Sequence, residues 1–174
     1  MKYFFLVLYY AIGFYLPDSF SKPFGKVSNS FRRTCVKHIF KNVGKNINIG
    51  RKAYFGKGFN IEIGDNSNIG NYCHVPSNIK IGKNVMMGPN NYFFESVTHK
   101  FDRTDIPMIL QGVHPVEGRI EIGNDVWIGR NCHILPCKKI GSHTILGACS
   151  VVTKDIEDWT IVAGNPAKLI RKRK

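Results

Sequence analysis

Acidic residues are scarce in this chain: 12 Asp+Glu stand against 25 Lys+Arg over 174 residues, a net charge of +13. That imbalance asks for an anionic partner, meaning nucleic acid, membrane headgroups or a phosphorylated small molecule. Aromatics interleaved on a basic stripe are missing, which sets nucleic acid aside. Cysteines are few as well. There are five, an odd number with no C-x-x-C, which speaks against a disulfide framework and for free thiols in a reducing cytoplasm. Long apolar runs are also absent. The longest, FFLVLYYAIGFYL at residues 4–16, falls short of the roughly 20 residues of a membrane span. A single Lys precedes it and no small-x-small site follows, so a signal peptide is not expected. Pro17-Asp18-Ser19 stops the segment. It reads as a helix that caps the molecule or packs on a neighbouring subunit. A second reading attaches it to the cytoplasmic membrane surface, helped by Lys22, Lys26, Arg32, Arg33, Lys37, Lys41 and Lys45. A second short helix is expected over residues 29–41.

What the chain does have is a period of six. Ile122, Ile128, Ile134, Ile140, Leu146 and Val152 are six apart, and Gly follows at 123, 129, 141 and 147. Upstream, Ile63, Ile69, Val75, Ile81, Met87 and Phe93 repeat the register, and Ile49 and Phe55 extend it after a two-residue slip. Neither a 3.6-residue helix nor a lone strand produces this pattern. Six residues make one short strand and a corner, and three such faces close a triangular coil of a parallel β-helix. Fourteen hexads predict four to five coils. The aliphatic residue points inward. Two positions before it a small residue also tends inward: Ser67, Cys73, Cys132, Thr144, Ser150. Gly after the aliphatic residue serves the corner, through positive φ or close backbone approach.

The register divides the chain into an N-terminal helical and apolar cap (1–45), the β-helix (46–157) and a C-terminal part (158–174). The last part reads as a strand, a Gly164-Asn165-Pro166 turn and a short basic helix or tail. Residues 95–119, ESVTHKFDRTDIPMILQGVHPVEGR, carry no hexad. A break of that length is a loop thrown out from the prism, where function concentrates. His99 lies in it, with Glu95, Asp102 and Asp105 close in sequence. An imidazole suits general-base work at neutral pH. His114, before Pro115, is the rival. Trp127 reads equally as a subunit contact or as an apolar wall for a ligand arm. Lys168, Arg171, Lys172, Arg173 and Lys174 make a solvated tail or an anion site.

The segment from GNDVWIG to AGNPAKLIRK, with SVTHKFD in the loop, resembles the hexapeptide-repeat acyltransferases. The likeness covers residues 46–171 and is to sugar O-acetyltransferases of the maltose, galactoside and exopolysaccharide type. It implies a left-handed β-helix, a homotrimer, and acetyl-CoA lying between adjacent prisms. By the same resemblance His99 is the catalytic base, and Trp127, Arg130, Ala148, Thr153, Lys154, Lys168 and Arg171 contact CoA. Left-handed β-helix enzymes that bind zinc, such as the gamma-class carbonic anhydrases, use a His pair five residues apart. The His at 38, 74, 99, 114, 133 and 143 contain no such pair, so no metal is expected.

The resulting reading is direct acetyl transfer to a sugar hydroxyl in capsule, lipopolysaccharide or exopolysaccharide assembly. His99 takes the proton, and backbone N–H groups or Asn90 or Asn91 meet the substrate and its oxyanion. N-acetylation of an amino sugar, serine acetylation and a non-catalytic β-helix scaffold are the alternatives. The enzyme is expected in the cytoplasm, with the cytoplasmic face of the membrane as the second reading.

Overall fold

The computed structural model describes every residue except Ser96, Val116 and Lys174. The chain forms a left-handed parallel β-helix of two-residue strands. The first face stacks Asn42–Val43, Glu62–Ile63, Lys80–Ile81, Glu121–Ile122 and Lys139–Ile140. A bridge to Ile156 adds a sixth level. The second face carries Asn48–Ile49 and Asn68–Ile69, then Met86–Met87, Trp127–Ile128, Ile145–Leu146 and Thr160–Ala163. On the third, bridges at Tyr54 and His74 lead into Tyr92–Phe93, His133–Ile134 and Val151–Val152. Six levels exceed the expected four to five, because Val43 and Ile156 extend the first face beyond the strict register.

The core is the hexad pattern made solid. All fourteen aliphatic positions are at most 4 % exposed. The position two before them faces inward too, in larger residues such as Ile47, Ile61 and Ile79 as well as in Ser67, Cys73, Cys132, Thr144 and Ser150. Left-handed φ falls three residues before the aliphatic one, at Asn46, Asn66, Asn84, Asp125 and Asn131 among others. Asn and Asp tolerate that region best after Gly. The hexad glycines serve close approach instead. A Cβ on Gly129 would lie 2.6 Å from the Ala148 amide nitrogen of the next coil.

Two helices close the N-terminal end. α1 (Lys2–Leu8) continues as a π-helical turn over Tyr9–Gly13, and α2 spans Gly25–Ile39, starting earlier than expected. Tyr9 is fully buried and its hydroxyl donates to the Ala53 carbonyl at 2.7 Å. Arg32 is also fully buried. Its Nε donates to the Ile49 carbonyl at 2.7 Å, and its Nη1 reaches the carbonyls of Gly13, Leu16 and Pro17. Arg32 therefore joins both helical segments to the first coils and is withdrawn from any membrane surface, a correction to its place in the basic set. At the other end Lys168–Lys172 is a strand, not the expected helix or tail. It pairs antiparallel with Thr160–Ala163 after a turn at Gly164, φ +106°. The last coil leaves a row of unpaired backbone groups, and this strand covers them.

The three faces differ chemically. The first carries charge, with Glu62 held by Lys41 at 3.2 Å and Arg119 at 2.9 Å. Those two hydrogen bonds draw the Glu62 carboxyl down to about 2. The third is a ladder of rings, Tyr54 on His74 at 4.6 Å and His74 on Tyr92 at 4.5 Å. Burial lowers the His74 pKa.

Candidate active site

The second face presents one continuous outward column. Register places Trp127 beside Met86 and Ile145, Ile145 beside Ile161, and Ile161 beside Arg171. Three rungs separate Trp127 from Arg171, about 14 Å at strand spacing. Trp127 is 52 % exposed and Met86 58 %. Lys168 is exposed on the same C-terminal strand, opposite Ala163. Arg130 and Ala148 follow second-face strands on successive coils, where the Cys149 amide donates to the Arg130 carbonyl at 2.9 Å. Trp127, Arg130, Ala148, Lys168 and Arg171 thus share one face and its adjoining corner.

His99 sits elsewhere. The ejected segment is a hairpin rather than an irregular loop: Val97–His99 pairs antiparallel with Val113–Pro115. Its tip is braced by Gln111, whose Oε1 accepts from the Arg103 amide and whose Nε2 donates to the Arg103 and Ile106 carbonyls. His99 is cross-strand to Val113, and His114 is cross-strand to Thr98. Paired residues share a face and neighbours alternate, so the two histidines lie on opposite faces of the hairpin. Both are exposed. Of the three nearby carboxylates, Asp105 is engaged by the Arg103 guanidinium.

The hairpin leaves after a third-face strand, Tyr92–Phe93, and returns to a first-face strand, Glu121–Ile122. Thr153 and Lys154 follow Val151–Val152 and precede Ile156, at the same corner two coils on. In a triangular prism that corner is opposite the second face. One chain therefore brings His99, Thr153 and Lys154 to one edge and the Trp127–Arg171 column to the far side.

Asn91 is not a solvent-facing contact, contrary to expectation. It is 1 % exposed, its Oδ1 accepts from the Cys132 amide at 2.7 Å, and its Nδ2 donates to the Gly88 carbonyl. It lies two before Phe93, an inward position of the register. Asn90 remains exposed at a left-handed corner. Burial pushes the Cys73 thiol up to about 11, which makes it a poor nucleophile. No group of three metal-ligating side chains occurs among the described residues.

Sequence reasoning missed a groove on the cap side of the column. It runs from Trp127 and Met86 past Asn68 and Asn48 to Lys26 and Arg33 on α2. The signal lay in the i, i+3, i+4, i+7 spacing of Lys26, Asn29, Ser30 and Arg33, which puts them on one side of a helix.

Comparison with known proteins bears on the fold and the family. The family model described as bacterial transferase hexapeptide (six repeats) matches residues 60–93 and 119–154. A galactoside O-acetyltransferase of Escherichia coli (strain K12) is 32 % identical over 152 residues, covering 81 % of this chain and 68 % of the relative. A chloramphenicol acetyltransferase of Klebsiella aerogenes is 54 % identical over 56 residues, but the match spans only 27 % of that protein. Among solved structures, a galactoside acetyltransferase in complex with coenzyme A superposes with a TM-score of 0.78 at 30 % identity, over 99 % of this chain and 80 % of that one. The chain belongs to the bacterial hexapeptide-repeat transferase family.

Proposed function

We propose that the protein is an acetyl-CoA-dependent O-acetyltransferase of a sugar hydroxyl, serving capsule, lipopolysaccharide or exopolysaccharide assembly. One observation supports the reading: the Trp127–Arg171 column and the His99 hairpin lie on opposite sides of a single prism. The face half suits a long thioester. Ile145 and Ile161 line an apolar arm, Trp127 walls its reactive end, and Arg171 with Lys168 meets its phosphates. The corner half holds His99 on a braced hairpin with Thr153 and Lys154 nearby. A ligand on the face of one chain meets His99 only from the corner of the next. A corner-to-opposite-face contact is heterologous, and a rotation of about 120° between neighbours closes it into the homotrimer of this reading.

The chemistry is direct transfer. The acceptor hydroxyl attacks the thioester carbonyl while His99 takes its proton. The tetrahedral intermediate collapses, the C–S bond breaks, and the CoA thiolate recovers the proton from the imidazolium. General-base help of this kind contributes roughly 10²–10⁴-fold, and confining both substrates in one cleft adds more. Relatives named for galactoside and chloramphenicol share acetyl transfer and differ in acceptor. The test is thiol release from acetyl-CoA across a panel of sugars. Release with no member of the panel, at enzyme concentrations that bind CoA, sinks the reading.

The cap supports a place of action at the membrane surface. Around α1, Tyr3, Phe4, Val7 and Tyr15 are 60–66 % exposed, and Asp18 is the one acidic residue in the first 61 positions. An apolar stripe in a basic surround suits the cytoplasmic face of an anionic membrane. No helix among the described residues is long and apolar enough to cross one.

A further inference from the structure

From the groove on the cap side of the second face we infer that the acceptor carries a phosphate or diphosphate group, bound by Lys26 and Arg33. The inference rests on the acetyltransferase reading for the sugar, not for the anion. The groove consists of two cavities, about 520 and 400 Å³, that share Phe20, Asn46 and Asn48. At its inner end stand Met86 and Trp127, where the thioester would lie. At its outer end stand Lys26, Asn29, Ser30 and Arg33. No acidic residue lines either cavity.

Two of the amides there, Asn29 and Asn48, present donors, because the hydrogen bonds behind them take their oxygens; Asn46, whose Nδ2 donates to Asn66 Oδ1, does not. Asn29 Oδ1 is taken by the Ile49 amide at 3.2 Å. A backbone N–H can only donate, so the Asn29 oxygen is fixed inward and its Nδ2 is left for a ligand. Asn48 is set by a relay. Buried Arg32 donates through Nη2 to Ser19 Oγ at 3.1 Å, which sends the one Ser19 hydroxyl hydrogen to Asn48 Oδ1 at 2.6 Å. The Asn48 Nδ2 is likewise left over. Arg33 Nε is buried without a hydrogen-bond partner, a costly state for a cation's donor. Neither Lys26 nor Arg33 forms an ion pair with a described residue. A cradle of two cations and two amide donors with no carboxylate in its lining recognises a phosphoryl group. Asn48 lies about 14 Å from Trp127, three rungs along the prism. That span holds one or more sugar rings between the phosphate and the acetylated hydroxyl. Sugar nucleotides and polyprenyl-diphosphate glycans both present this chemistry.

The test uses the full chain with saturating CoA, so that phosphate sites for CoA are filled. Inorganic pyrophosphate is titrated calorimetrically into wild type, the double variant Lys26→Glu/Arg33→Glu, Arg33→Lys, and a first-face control, Lys139→Glu. Wild type and control should bind alike. The double variant should lose at least tenfold in affinity, Arg33→Lys should lose less, and CoA affinity should not move. Loss of one charge-assisted hydrogen bond accounts for that factor. Circular dichroism checks that each variant folds. In the kinetic arm, KM for a uridine-diphosphate sugar and for a short-chain polyprenyl-diphosphate disaccharide is compared with that for the same sugars without phosphate. The double variant should raise KM for a phosphorylated acceptor only, and the acceptor with the lower wild-type KM names the source. Undetectable pyrophosphate binding to wild type, or equal binding to the double variant, overturns the proposal even if acetyl transfer is found. Pyrophosphate binding that depends on Lys26 and Arg33 supports it even if every acceptor fails, an outcome that would count against the transferase reading alone.

Discussion

Replacing Arg32 by Met should unseat the N-terminal cap. Arg32 is fully buried, and its guanidinium spends its donors on the carbonyls of Ile49, Gly13, Leu16 and Pro17 and on Ser19 Oγ. Burial draws its pKa down, yet a guanidinium stays protonated. Met keeps the aliphatic stem and the volume but leaves those carbonyls without this donor. Each buried unsatisfied group costs about 1–3 kcal/mol. Removing the charge also removes its desolvation cost, which offsets part of the sum. A net loss of about 3 kcal/mol follows, a large share of the roughly 5–15 kcal/mol that holds a domain together. Arg33→Met is the control one residue on, since Arg33 Nε has no hydrogen-bond partner and the side chain forms no ion pair among the described residues, and it should cost at most about 0.5 kcal/mol. Urea unfolding by circular dichroism at one fixed protein concentration measures both, because oligomer stability depends on concentration. A difference between the two variants below about 1 kcal/mol would refute the reasoning.

His99→Ala should lower kcat by about 10²–10⁴-fold with little change in KM for acetyl-CoA, and His114→Ala, on the other hairpin face, should do far less; steady-state thiol release measures both. Glu62 gives a pH dependence of stability. Its carboxyl titrates at about 2 in the fold against an ordinary 4.5. The stability it contributes is therefore present above pH 4.5 and fades as the pH falls from there toward 2. Thermal melts at pH 7 and pH 3 should show wild type losing more than Glu62→Gln, whose curves start lower and converge with wild type in acid; parallel shifts would argue against the Arg119–Glu62–Lys41 anchor.

The β-helix was legible because its fold repeats in sequence: every one of the fourteen positions spaced by six is buried. The same register already placed Asn91 inside, two before Phe93. Reading it as a substrate contact put the chemistry of an amide ahead of its position. The C-terminal strand was missed because a basic KLIRK run carries no helix-or-strand signal of its own; the open edge of Thr160–Ala163 decides it. The hairpin of the ejected loop was hidden for a similar reason, as Val97–His99 and Val113–Pro115 find each other across a braced tip and not through a local turn motif. Arg32 looked like one cation among several. Its burial depends on carbonyls of Gly13, Leu16 and Pro17 on one side and of Ile49 on the other, which no spacing reveals. Arg130, Ala148, Thr153 and Lys154 were named from resemblance alone, while His99, Trp127, Lys168 and Arg171 already stood out by residue type and place in the chain; only the order of the faces shows that these residues fall into two groups on opposite sides of the prism.

Mixing two inactive variants tests that division most directly. One carries His99→Ala, which spoils the corner; the other carries Trp127→Ala with Arg171→Glu, which spoils the face. The two are unfolded together, refolded as a mixture, and assayed for thiol release at limiting acetyl-CoA. If each site joins the corner of one chain to the face of the next, random trimers regain intact sites at the interfaces where a good corner meets a good face. About a quarter of wild-type activity should return, while each variant refolded alone stays inactive. Activity no higher than the average of the two variants alone would mean that corner and face act within one chain, and would contradict the shared site.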